Sequence, residues 1–317
     1  LVMDDATDPT NAVKLARKLI GEDKVDLIIG SSSVPAATAI TDVAAELKTP
    51  QIALSPVGGA ASKNPWVFSI PQPVNIMMGA VADHMKANNV KNVAYIGFAD
   101  SWGDLVLSGL KAHADTSGYK IVTEERYARL DTSVAGQILK VLATNPDAVV
   151  VGGSGTPGAL PNVTLAERGY KGKVYHNHGV INKDFLRVGG KALDGAFAPT
   201  GPVMVAEQLP DSNPIKKVAL EFTKAYEGQF GAGSRNAFAA YSYDAYLLAN
   251  NAVAAASKKA KPGSPEFRQA LRDALETTKD VVGTHGVYTM TPTDHAGVDQ
   301  RARVLVRVEA GDWKLVK

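Results

Sequence analysis

Short apolar runs rich in Val and Ile alternate with helical patterns of about a dozen residues through the first half of this chain. The strand-like runs fall at 25–29, 51–54, 90–97, 120–125, 148–151 and 173–176. The helical patterns fall at 9–20, 35–47, 74–88, 102–116, 134–143 and 160–169. Such an order permits few architectures. Strands separated by helices pair in parallel, and a parallel sheet needs helices on both faces. Right-handed crossovers follow. After Gly201 the order changes to helical patterns at 213–228, 238–260 and 264–277. Strand patterns then close the chain at 287–290, 302–308 and 313–316, the last two joined by a turn at Ala310-Gly311.

At 317 residues the chain exceeds one ordinary core and suits two domains. Pro71, Pro73, Pro202 and Gly283 mark crossings near 70–74, 200–203 and 282–285. The expected fold is therefore α/β: two Rossmann-like lobes with parallel sheets, joined by a three-strand hinge. Lobe 1 comprises 1–71 and 203–282, and lobe 2 comprises 72–202 and 283–317. Residues 1–4 read as the tail of a strand, so the expectation is that an opening strand-helix unit is missing ahead of them.

Charge and residue usage narrow the function. The net charge is +2 with Lys and Arg scattered, so no nucleic-acid partner is expected. No apolar run approaches a membrane span. The absence of cysteine removes disulfides, thiolate zinc sites and cysteine nucleophiles. No signal peptide is present, so export requires one already removed. Neither a G-x-S-x-G elbow nor an H-E-x-x-H pair occurs. The expectation is a binding protein with no cofactor, and no enzyme.

Candidate ligand-binding residues cluster at strand ends. Ser31, Ser32 and Ser33 follow the first strand run and precede a helix, where free amides and hydroxyls hold a small anion. Ser33 also suits the N-cap, with Pro35 in the first turn. Ser55-Pro56-Val57-Gly58-Gly59 follows the next strand, and its glycines let backbone N–H groups approach a ligand. Trp102 follows Asp100 and Ser101 at a helix start, where an indole can stack on a flat ligand and still use its N–H. The alternative is a core tryptophan covering that helix start.

The run 153–158 formally matches G-x-G-x-x-G. Pro157 interrupts the helix start and no acidic residue ends the next strand, so the dinucleotide reading fails. The loop is read instead as a backbone approach to a small ligand, with Ser154 or Thr156 in contact. His176 and His178 lie two apart, but only Asp184 is a nearby carboxylate, so no metal is expected. His178 is read as a hydrogen-bonding partner for the ligand, against a satisfied loop histidine. Phe238, Tyr241, Tyr243 and Tyr246 lie on one helix, mostly as core, with Phe238 or Tyr241 walling the cleft. Arg235 is expected in solvent.

With these residues in view, the chain resembles the periplasmic solute-binding proteins of the branched-chain amino acid uptake group. The resemblance rests on Asp4-Asp5-Ala6-Thr7-Asp8-Pro9, Ile28 to Ser33, the Ser55-Pro56 turn, Tyr95-Ile96-Gly97 through Ser101-Trp102-Gly103, and Val151-Gly152-Gly153. It covers essentially the whole chain. It implies the type I periplasmic binding fold, two lobes closing over one ligand, a periplasmic location and delivery to an ATP-driven (ABC) permease. It also implies that Ser31–Ser33 and Val57–Gly59 hold the ligand carboxylate and that an aromatic at Trp102 closes over the ligand. The position of His178 is often a Glu or Asp that receives an α-ammonium. A histidine suits an ammonium poorly, and the Val57-Gly58-Gly59 stretch lacks the usual threonine hydroxyl.

The expected ligand is thus an aromatic carboxylate without an amino group, such as benzoate, benzoylformate or phenylpyruvate. The chain also looks like the aromatic-acid branch of the group. Two alternatives stand beside this: a branched-chain or other aliphatic amino-acid binder whose ammonium partner lies elsewhere, for example at Asp100, and a ligand-sensing domain of the same fold.

Overall fold

The computed structural model describes residues 1–57 and 63–316. The chain divides into two units. Unit 1 comprises Leu1–Pro73, Asp211–Ala225 and Phe238–Ala302; unit 2 comprises Val74–Pro210, Tyr226–Ala237 and Arg303–Lys317.

Unit 1 holds a three-stranded parallel sheet of β1 (Ile28–Ile29), β2 (Gln51–Ala53) and β3 (Val67–Ser69), in that order. Two helices flank it, Pro9–Gly21 and Val34–Glu46. Asp8 caps the first, its carboxylate accepting from the Asn11 amide at 2.7 Å. Ala12, Ala16 and Ile20 recur at helical spacing and bury against Ile28, Ala36, Ile40 and Val43. Small alanines on both facing helices let them approach closely over the short β1. A second pair, β9 (Val281–Val282) and β10 (Val287–Tyr288), is antiparallel.

Unit 2 holds a seven-stranded sheet: β4 (Asn92–Phe98), β5 (Lys120–Tyr127), β6 (Ala148–Gly152), β7 (Lys173–Tyr175), β8 (Phe197–Thr200), β11 (Val304–Glu309) and β12 (Asp312–Leu315). Their spatial order is β12-β11-β8-β7-β6-β4-β5. The run from β8 to β5 is parallel, and β11 and β12 add an antiparallel edge through the turn at Ala310-Gly311. β4 has β5 on one side and β6 on the other, so the chain reverses its direction of travel there. The carboxyl ends of β4 and β6 flank this switch point, the place where open α/β sheets take ligands.

Tyr95 locks that region. Its ring lies across the two strands, and a Cβ at Gly97 or Gly152 would come within 2.0 Å of its hydroxyl. The hydroxyl donates to the Gly103 carbonyl at 2.6 Å. The first turn of the helix Ser101–Ala112 is thereby fixed to the sheet.

The units depart from the sequence-based bounds at the last crossing. The chain changes unit between Ala302 and Arg303, not near 282–283. The reason is Asp244, whose buried carboxylate accepts from the Thr284 amide at 2.7 Å, the His285 amide at 3.0 Å and the Tyr288 hydroxyl at 2.9 Å. A Cβ at Gly283 would lie 2.6 Å from that carboxylate. These bonds hold 283–288 to the helix Ala237–Ala256 of unit 1. The segments Val203–Pro210 and Tyr226–Ala237 also belong to unit 2, where Arg235 pairs with Glu207 at 2.7 Å and Glu227 at 3.3 Å. Arg235 is therefore mostly buried in ion pairs and not in solvent as expected.

Candidate functional site

Two sets of residues stand at strand ends, one in each unit. In unit 1 the chain leaves β1 through Gly30, whose φ of +133° favours glycine, and enters Ser31–Ser33. Ser33 occupies the N-cap position of the helix Val34–Glu46, but its hydroxyl makes no cap bond. Ser31 Oγ instead accepts from the Ser33 amide at 3.2 Å. The Ser33 hydroxyl is buried without a hydrogen-bond partner, while Ser32 is exposed. Ser55 Oγ donates to the Ser31 carbonyl at 3.3 Å and ties the end of β2 to this turn. The Val57 side chain packs with Ala37, Ala53 and Val67, which leaves only its backbone for a ligand. Gly58 and Gly59 lie outside the described residues.

Phe238 is half-buried at the start of the helix Ala237–Ala256, its ring edge-on to Tyr241 at 6.4 Å. Tyr241 is not a wall residue. Its hydroxyl donates to Gln72 Oε1 at 2.7 Å, and its ring stacks on His285 at 3.9 Å within the core of unit 1.

Unit 2 builds its set around the switch point. Asp100 caps the helix Ser101–Ala112, its Oδ1 accepting from the Trp102 amide at 2.9 Å and the Gly103 amide at 3.1 Å. Its second oxygen takes the Arg129 Nε at 2.5 Å. Asp100 thus already serves two helix amides and one guanidinium. Trp102 is buried, and its indole N–H donates to the Gly153 carbonyl at 3.2 Å. The expectation that a ligand uses this N–H is corrected: the loop after β6 consumes it.

Asn177 organises the same loop. Its amide donates to the Val151 carbonyl at 3.0 Å and the Gly153 carbonyl at 2.7 Å, and its Oδ1 accepts from the Gly179 amide at 2.7 Å. The Gly155 amide returns a bond to the Gly179 carbonyl at 2.9 Å. Gly153 and Gly158 are small because they pack: a Cβ on Gly153 would lie 2.3 Å from the Tyr127 hydroxyl and 2.8 Å from Gly158 Cα. The expectation that these glycines admit a ligand to the backbone gives way to internal packing. Ser154 and Thr156 remain half-exposed on the loop, and Arg129 Nη1 donates to Ser154 Oγ at 3.2 Å.

His178 lies against this loop. Its ring meets Trp102 edge-on at 5.3 Å and 74°. A Cβ on its neighbour Gly179 would come within 2.8 Å of the indole and 2.9 Å of Ser154 Cβ, so Trp102, Ser154 and His178 form one packed group. Both nitrogens of His178 are buried and lack a partner. Burial strips the ring of hydration and pushes its pKa down to about 3, so it is neutral near pH 7. His176 differs: its Nε2 shares a hydrogen with Asn162 Oδ1 at 2.9 Å and its ring packs edge-on to Phe185 at 5.0 Å. Among the described residues no cluster of three metal-ligating side chains exists.

A cavity of about 790 Å³ lies elsewhere in unit 2, lined by Lys183, Arg187, Glu207, Arg235 and Trp313 among others. Arg187 pairs with Asp184 and Arg235 with Glu207, so its charges largely neutralise one another. None of Trp102, Arg129, Ser154, Thr156 and His178 lines it.

Residues 1–312 match the family model described as periplasmic binding protein. The chain belongs to the periplasmic binding protein family. Among solved structures, an extracellular ligand-binding receptor from Rhodopseudomonas palustris HaA2 is 47% identical, covers 100% of this chain and 89% of its own, and superposes with a TM-score of 0.96. Another, an ABC transporter solute binding protein from R. palustris in complex with benzoate, is 20% identical over 99% of this chain and 83% of its own, with a TM-score of 0.83, and shows the shared type I fold. An amino acid binding protein from Pseudomonas aeruginosa is 26% identical over 254 residues, 76% of this chain. The chain spans 63% of the length of that curated relative. The family and the receptor names of its members support an extracytoplasmic location.

Arg129 and Asn177 escaped the sequence reading. Each acts across strand ends far apart in the chain, so no local pattern announces it. The one available signal was the position of Arg129 two residues past a strand.

Proposed function

We propose that this periplasmic binding protein is the solute-binding component of an ABC uptake transporter and that its solute is a small aromatic carboxylate. The observation that carries the reading is His178: a buried, neutral imidazole with both nitrogens unpartnered. A neutral ring offers one N–H donor and one lone pair. Leaving either unpaired in the interior costs ~1–3 kcal/mol. The N–H calls for an acceptor such as a carboxylate or keto oxygen, which benzoate, benzoylformate and phenylpyruvate all bring, and the lone pair takes a donor such as a water or hydroxyl. An ammonium brings donors only.

The remaining roles follow from each unit's own geometry. Ser33 supplies an uncommitted hydroxyl for the carboxylate, with Ser32 next to it in the chain; the backbone at Val57, Gly58 and Gly59 is assigned to the same carboxylate on the family resemblance. Trp102 and Phe238 supply flat apolar faces. Ser154 and Thr156 supply hydroxyls on the loop after β6. Neutral donors hold a carboxylate well when they are preorganised and water is excluded.

A second reading is an amino-acid solute, favoured by the Pseudomonas relative's name. Asp100 weighs against it, because its charge is already paired with Arg129 and it caps two helix amides.

A thermal-shift screen separates the two. A true solute stabilises the native chain by mass action. Benzoate, benzoylformate and phenylpyruvate are expected to raise Tm while leucine and valine leave it unchanged. A shift with leucine or valine alone overturns the aromatic-acid reading.

A further inference from the structure

We infer that Arg129 biases Ser154 toward donating its hydrogen, and that this pair disfavours an ammonium at the switch point of unit 2. The inference deepens the aromatic-carboxylate reading and rests on it. It starts from three contacts of one guanidinium. Arg129 Nε donates to Asp100 Oδ2 at 2.5 Å, Nη1 donates to Ser154 Oγ at 3.2 Å, and the plane sits 4.4 Å from the centre of the Phe98 ring. These contacts join the ends of β4, β5 and β6.

A serine hydroxyl is ordinarily ambivalent, with one hydrogen to give and lone pairs to accept with. At Ser154 one of the two lone pairs is occupied by a charged donor. Its own hydrogen must turn away from Arg129, toward whatever else reaches the half-exposed loop. Accepting from a cation also polarises the O–H bond and strengthens it as a donor. The group that Ser154 best greets is therefore a carbonyl or carboxylate oxygen. An ammonium has only the remaining lone pair of Ser154 to donate to, and it meets a guanidinium one hydrogen bond away. Asp100 already accepts from Arg129 and two helix amides, which leaves it a weak competitor for a further cation. Specificity here comes from a built-in misfit against the wrong ligand as much as from contacts to the right one.

Phenylpyruvate and phenylalanine test this, since they differ at the carbon where a keto oxygen replaces an ammonium. Calorimetric titration of the full chain gives the ratio of their dissociation constants. The wild type is expected to prefer phenylpyruvate. Arg129→Met frees the Ser154 lone pair and one Asp100 oxygen while leaving the cap bonds to the Trp102 and Gly103 amides. It is expected to narrow the preference by about tenfold or more. Ser154→Ala, which leaves the loop's backbone bonds in place, is expected to narrow it as well. The double variant is expected to narrow it no further than the larger single effect, because the two residues act as one unit. Arg129→Lys keeps the charge and is expected to retain most of the preference.

A merely structural Arg129 would weaken both ligands equally, and an unchanged ratio in Arg129→Met or in Ser154→Ala overturns the inference while the aromatic-acid reading stands. Preference of the wild type for phenylalanine, or binding of neither compound, overturns the reading and the inference together.

Discussion

The two units finish their strand ends with opposite strategies. In unit 2, Asp100 joins Arg129 to the helix start while Asn177 and Trp102 hold the loop after β6, and both nitrogens of His178 and one of His176 are left unsatisfied. In unit 1, the turn after β1 is tied by the Ser31 and Ser55 hydroxyls, and the Ser33 hydroxyl and Gln51 Oε1 are left over. A dense network holds an aromatic wall in place; a sparse one leaves a small donor. The buried titratable groups differ as well. Each unit buries two histidines, His176 and His178 in unit 2 and His285 and His295 in unit 1, and unit 1 adds the Asp244 carboxylate.

That contrast is broken most directly with pH. His176 and His178 have folded pKa values lowered to about 3 from 6.5. The stability they contribute is present above pH 6.5 and is lost as pH falls toward 3, by ~4 kcal/mol for the pair at pH 5. Asp244 has its pKa raised by burial from 3.8 to about 6. Its contribution is present below pH 3.8 and is lost as pH rises through about 6, by ~3 kcal/mol over that window. Hydrogen exchange at pH 5 and 7, corrected for intrinsic rates, should show β6 and β7 losing protection at the lower pH while the helix Ala237–Ala256 keeps or gains it. Equal loss in both units would remove the distinction.

Asn177→Ala is expected to cost ~3 kcal/mol, since three buried bonds go and their backbone partners stay dry. Urea unfolding should show it, and near-wild-type stability would mean the loop holds without the network. His178→Glu should weaken the aromatic-acid ligand by roughly 10–100-fold on calorimetric titration, equivalent to ~1–3 kcal/mol for unmatched buried bonds. An unchanged affinity would remove His178 from the site. Ser33→Ala is expected to be the mildest, with affinity down by about tenfold, worth ~1 kcal/mol for one hydrogen bond, and Tm unchanged. A falling Tm with affinity intact would make Ser33 a structural cap after all.

The sequence made the ends of long parallel strands visible and left the cross-connections hidden. β4, β5 and β6 lie close to where the Val and Ile runs place them, because buried parallel strands read as continuous apolar segments. β3 and β9 span three and two residues, too short for any period to register. β8 contains Pro199, which argues against a strand, yet it pairs with β11 through that residue's neighbours. Trp102 and His178 stood out as chemistry at a strand end. Only their packing against Gly179 shows that they belong to one group. The fate of the indole N–H was unreadable, because its acceptor Gly153 lies 51 residues away.

The edge-on contact between Trp102 and His178 also has a spectroscopic consequence. An imidazolium beside an indole drains its excited state, whereas a neutral imidazole does so far less. The ring of His178 holds no proton until strongly acid pH, so the emission of Trp102 is set by its surroundings and not by buffer pH near neutrality. Trp66 and Trp313 are the other two indoles of the chain. With both replaced by Phe, the emission of the protein reports on one place alone, the indole packed against His178.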